Sequence, residues 1–135
     1  MSAATDATEA QAAAAAIVDA FGVHDRERYF AGFSPDATFL FHTTDRLLGS
    51  RAEYEAEWSS WEAGGFRVNG CTSSNQRVER IADGVVVFTH DVHTRVFDGS
   101  SDLDLDERET IVLRREPDGR WLGIHEHLSP TPSAS

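Results

Sequence analysis

Lysine is absent: all twelve basic residues are arginine, set against twenty-three aspartates and glutamates. Schiff-base chemistry and a lysine general base are therefore excluded. Cysteine is nearly absent too. The single Cys71 cannot close an internal disulfide, and no Cys/His spacing of a structural zinc site occurs. No apolar run approaches membrane-spanning length, and the first residues lack the charged start of a secretory signal, so a cytoplasmic location is expected. The shortage of positive charge leaves a net charge of -11, which argues against nucleic acid and anionic membrane as partners.

What is present points to one globular domain. A chain of 135 residues with 40% hydrophobic content can bury a sizeable core but not two. Residues 5–21 read as a helix, with Asp6 and Glu9 in a capping-box pattern and Ala10, Ala14, Ile17 and Phe21 on one stripe. A second helix is expected over 25–31, a turn at 34–36, and a strand over 37–43, whose content is aromatic and β-branched. A third helix follows Ser50, with Tyr54, Trp58 and Trp61 on one face. Strands are expected at about 66–81, 85–97, 104–116 and 120–128, joined by turns at Asp83-Gly84 and Pro117-Asp118-Gly119. The fold class is α+β: three helices, a β-hairpin between the second and third, then a four-strand meander. The domain is expected to end at 128, with 129–135 a polar, disordered tail.

Strand alternation separates two faces. In 85–97, Val86, Phe88, Val92 and Val96 share a face with His90, whereas Thr89, Asp91, His93 and Arg95 share the other. In the last strand Glu126 lies with Leu122, Ile124 and Leu128, opposite His125 and His127. Apolar faces turn inward, so His90 and Glu126 are the polar intruders and the candidate catalytic residues. A two-residue turn at Asp118-Gly119 would pair Leu113 with Ile124, Ile111 with Glu126 and Glu109 with Leu128. Glu109 then stands diagonal to Glu126, about 7–8 Å away. Buried together, two such carboxyls would raise the pKa of at least one; the favoured reading keeps Glu109 at a wet rim. The cross-strand neighbour of His90 is Gln76 or Arg77, according to whether the turn near Gly84 holds a bulge. His125 and His127, with His42 as a conceivable third ligand, raise the question of a metal. An assembly surface is the stronger reading for that face, and no metal or cofactor is expected.

The order of elements, together with DATFLF, GSRAEYEAEW, ERETIVLRREPDGRW and IHEHLSP, resembles the SnoaL-like branch of the nuclear transport factor 2 and ketosteroid isomerase-like superfamily. It is similar also to the association domain of calcium/calmodulin-dependent protein kinase II. The resemblance implies a cone: a curved, mainly antiparallel sheet wrapped over helices around a pocket, often self-associating through its outer face. It also implies differences. Phe41, Ile17 and Ile111 fall where ketosteroid isomerases carry their catalytic Asp, Tyr and second Asp. Val92, Ile111 and Leu128 replace the pocket arginines of the kinase domain. The expectation is a pocket for an apolar, cyclic ligand, walled by Phe41, Tyr54, Trp58, Phe88, Val92, Ile111, Ile124 and Leu128. Whether the chain is an enzyme is left open between a metal-independent isomerase, cyclase or hydrolase, a non-catalytic assembly module with a structural pocket, and a filled core without a ligand.

Overall fold

A computed structural model describes residues 2–132. Helices α1 (Ala3–Gly22) and α2 (Arg26–Ala31) lead into strand β1 (Phe33–Phe41), and α3 (Arg51–Ala63) precedes β2 (Phe66–Ala82), β3 (Val85–Asp98), β4 (Asp102–Arg115) and β5 (Trp121–Pro130). The five strands form one sheet in the order β1-β5-β4-β3-β2, antiparallel except that β1 runs parallel to β5. The three helices lie on one face of this sheet, so the architecture is α+β with the core between the layers.

The helix starts follow local chemistry. Asp25 accepts from Arg28 N, and Ser50 accepts from Glu53 N at 3.1 Å, each capping the helix that follows. Glu53 reaches back to Gly49 N, one residue before the position a capping box uses. The first helix departs from expectation. Its cap is Ser2, and Asp6 is not a cap but a fully covered side chain bonded to Arg80, Arg115 and Gly84 N. Those bonds staple α1 to the β2–β3 turn and to the end of β4. The Gly84 N–H, first among them, holds the Asp6 carboxyl below its usual pKa. At the other end of α1, His24 sits in the left-handed region (φ 56°). Its Nδ1 accepts from Val68 N and its Nε2 meets Glu62, which ties α1, α3 and β2 together.

Trp58 is the hub of the helical layer, fully buried against Phe21, His24, Tyr29, Phe30, Tyr54, Trp61 and Phe66. Most of these contacts are tilted or edge-on, the geometry ring quadrupoles favour.

Three strand expectations need correction. The hairpin between α2 and α3 is one true strand; its return arm is a single antiparallel bridge from Leu48 to Phe39. The turn expected at 34–36 is absorbed into β1, whose pairing with β5 slips between Phe33 and Thr38. The last strand continues past 128: Ser129 and Pro130 pair with Arg108 and Glu107, and Thr131 N donates to Asp106 O. The tail expected from 129 therefore starts inside the sheet, and residues 133–135 lie outside the described ones.

The β4–β5 register shows two errors that cancel. Glu116 N bonds Arg120 O, so the turn holds three residues, not two. A bulge at Ile124 then adds one residue to β5, and beyond it Ile111 faces Glu126 and Glu109 faces Leu128, the expected pairs. Before the bulge, Leu113 faces Gly123. Gly123 thus takes the inward position assigned to Ile124, under the Phe33 ring, where an added Cβ would lie 2.7 Å from a ring carbon. Ile124 is half-buried and leaves the list of pocket walls.

Candidate functional site

Between α1, α3 and the inner sheet face lies a cavity of about 480 Å³, within the range of small-molecule sites. Ile17, Phe21, Phe41, Tyr54, Trp61, Phe66, Val92, Val96, Leu105 and Leu128 supply apolar wall; Tyr29, Glu107, Glu109 and Glu126 supply polar groups. Four expected walls, Phe41, Tyr54, Val92 and Leu128, line this space. Trp58, Phe88 and Ile111 do not: each is fully buried in packed core next to it. The difference is one of depth. Strand alternation fixes the face a residue looks to, but helix packing decides how far along that face the cavity reaches.

Glu126 is 2% exposed, and Glu109 lines the same cavity with its side chain 12% exposed, more covered than the wet rim expected for it. The pairs Ile111–Glu126 and Glu109–Leu128 seat the two carboxyls on adjoining strands. Glu126 has no arginine partner. Its Oε1 accepts from the Tyr29 hydroxyl at 3.1 Å, and Tyr29 in turn lies 2.9 Å from the Tyr54 hydroxyl. Burial, then the charge of Glu109, pushes the Glu126 carboxyl well above its ordinary pKa. Burial also raises Glu109, while a hydrogen bond from Glu126 pulls it back. The stronger rise at Glu126 favours the proton on that carboxyl, beside the Glu109 carboxylate. Both phenols are held protonated, chiefly by burial and then by the neighbouring Glu126.

His90 fixes the other side of Glu109. Its Nε2 lies 2.7 Å from Glu109 Oε1 and its Nδ1 lies 2.6 Å from Ser73 Oγ. A carboxylate only accepts, so Nε2 carries the hydrogen and Nδ1 accepts from the Ser73 hydroxyl. Burial lowers the His90 pKa, which agrees with a neutral ring. Ser73 Oγ then accepts from Gln76 Nε2 at 2.9 Å, and Gln76 Oε1 accepts from Gln11 Nε2 at 3.0 Å. Each donor in this chain has one acceptor from surface Gln11 to buried Tyr54. A β2 bulge between Ser74 and Arg77 sets residues 75 and 76 against His90 and pairs Arg77 with Thr89, so of the two expected neighbours Gln76 is the one at the bulge. His90 does not line the cavity, so of the two expected catalytic residues Glu126 reaches it and His90 touches only its Glu109 wall.

Glu107 was missed by the sequence reading. It is buried, faces inward opposite Val92, lines the cavity and bonds His42 Nε2. The signal existed, since alternation places 107 on the same face as 109 and 111. His42 is thereby committed to the inner side and is not available to His125 and His127. On the outer face, His125 Nδ1 bonds Thr38, and His127 is exposed. Among the described residues no cluster of three or more His, Cys, Asp or Glu is arranged to hold a metal. Cys71 lines the cavity, and burial pushes its thiol up to about 11.

The family model for the SnoaL-like domain matches residues 10–133. The chain belongs to the SnoaL-like family. No curated protein matches it by sequence. Solved structures share the fold of this SnoaL-like domain at low identity. A ketosteroid isomerase-like protein from Erwinia carotovora atroseptica has a TM-score of 0.83 at 14% identity, covering 95% of this chain and 98% of its own. ActVI-ORFA from Streptomyces coelicolor has a TM-score of 0.72 at 17% identity, covering 91% and 95%. A putative calcium/calmodulin-dependent protein kinase II association domain from Xanthomonas campestris has a TM-score of 0.68 at 18% identity, covering 92% and 84%. Among the described residues no helix is long and apolar enough to cross a membrane.

Proposed function

We propose that this SnoaL-like domain binds an apolar, cyclic small molecule and moves a proton on it without a metal. The observation that carries this reading is the carboxyl pair: Glu109 and Glu126 line the cavity together from adjoining strands, and burial raises the pKa of both. A neutral carboxylic acid beside a carboxylate is a general acid and a general base in one place. Of the isomerase, cyclase and hydrolase chemistries open to the fold, the pair suits the first two, in which a proton leaves carbon and one reaches oxygen. Glu109 takes the proton next to a carbonyl as Glu126 gives its own to the carbonyl oxygen, and the enol collapses by the reverse transfers. Tyr29 and Tyr54 support the negative charge that develops at Glu126. His90 is a positioning residue, holding Glu109 as an acceptor.

The test is proton exchange on a model ketone. Wild-type protein in D2O with 2-tetralone is expected to exchange the protons beside the carbonyl faster than buffer, as read by 1H NMR. Glu109→Gln is expected to lose most of the acceleration, typically 100-fold or more for a general base. Exchange no faster than in buffer would overturn the reading. Self-association through the outer sheet face, and a cytoplasmic setting in which Cys71 stays reduced, complete the proposal. An assembly module alone is less well supported, because that face carries the charged or polar Asp91, His93, Arg95 and Arg108 beside its Val87–Val112 pair.

A further inference from the structure

Resting on the pocket reading above, we propose that the cavity takes a ring-bearing ammonium cation, anchored by the free carboxylate oxygen of Glu107. Glu107 is 4% exposed and lines the cavity. One of its oxygens, Oε2, is engaged by His42 Nε2; among the described residues no group bonds Oε1. That oxygen is not among the buried unpartnered side-chain atoms of the described residues, so it opens onto the cavity, where a donor can reach it. A ligand N–H in the cavity is the donor this site lacks. The rest of the lining selects the sign of the charge. Asp98, Glu107, Glu109 and Glu126 all contribute to it, and no arginine does. Every basic side chain of the protein is an arginine, so nothing in the cavity neutralises an anion. The aromatic walls Tyr54, Trp61 and Phe66 add ring faces that attract a cation. A carboxylate or phosphate ligand is excluded by the same groups. The ammonium end at Glu107 leaves the carboxyl pair free for chemistry at the ligand's other end.

Three probes with one ring system separate the cases: 1-naphthylmethylammonium, 1-naphthalenemethanol and 1-naphthoate, titrated calorimetrically into the intact protein at neutral pH. The amine is expected to bind about tenfold to hundredfold tighter than the alcohol, as a charge-assisted hydrogen bond predicts, with the naphthoate weakest. Glu107→Gln is expected to erase the amine's advantage over the alcohol. NOEs from the bound amine to the Leu105 and Leu128 methyls place it in the cavity even if the variant does not fold. An alcohol as tight as the amine would overturn the ammonium inference while the pocket reading stands. An advantage that survives in Glu107→Gln, or an amine without those NOEs, would overturn it as well. Failure of all three probes to bind would overturn both.

Discussion

Replacing Glu126 by Gln isolates the electrostatics of the carboxyl pair. A Gln side chain keeps the shape of a neutral Glu and its hydrogen-bond pattern: Oε1 accepts from Tyr29, and the amide donates to Glu109 as the acid's O–H does. At pH 4, where Glu126 is neutral folded or unfolded, the two proteins should differ by less than about 1.5 kcal/mol. Above that the wild type is penalised. Burial holds the folded Glu126 pKa well above its ordinary value of 4.5, so the folded state binds the proton more tightly than the unfolded chain. The group's contribution is fully present below pH 4.5 and is lost as pH rises through the folded pKa. Within that window the wild type loses about 1.4 kcal/mol per pH unit. Glu109 shifts in the same direction in both proteins and largely cancels. Glu126→Gln should therefore gain on the wild type by about 1.4 kcal/mol per unit, then level off. Against a total stability of about 5–15 kcal/mol, a slope of that size is readily resolved by urea unfolding at half-unit steps from pH 4 to 8. A difference that stays flat over this range would refute the assignment of the proton to Glu126.

Two further outcomes test the packing. Gly123→Ala puts a methyl 2.7 and 2.8 Å from two Phe33 ring carbons and 3.5 Å from Ile111 Cγ2, so a loss of about 1–3 kcal/mol is expected in thermal or urea unfolding. Wild-type stability in that variant would show that the Phe33 ring is loosely held. Cys71, with its thiol at about 11, should be about one part in a thousand thiolate at pH 8 and react with a disulfide reagent far more slowly than the urea-unfolded chain. Equal folded and unfolded rates would place it outside the cavity wall.

The α+β class, the five long strands and the inward facing of His90 and Glu126 follow from the sequence alone, because strand period and turn chemistry are local. So do the Ser50 cap and the common face of Tyr54, Trp58 and Trp61. Tertiary structure decided the rest. A three-residue turn and a bulge at Ile124 compensate each other; only the Phe33 ring, arriving from another strand, makes Gly123 the inward residue. Glu109 could have stood in open water, and it is the bond to His90 and the wall of the cavity that cover most of it. The bonding of His90 depends on Ser73, which pairs with Val92 and reaches His90 beside the β2 bulge at residues 75 and 76. The ionisation of Glu126 depends on how many charges and how much water surround it, and those are properties of the packed molecule. Alternation along a strand fixes direction, whereas depth, and with it pKa, belongs to whatever the rest of the chain lays on top.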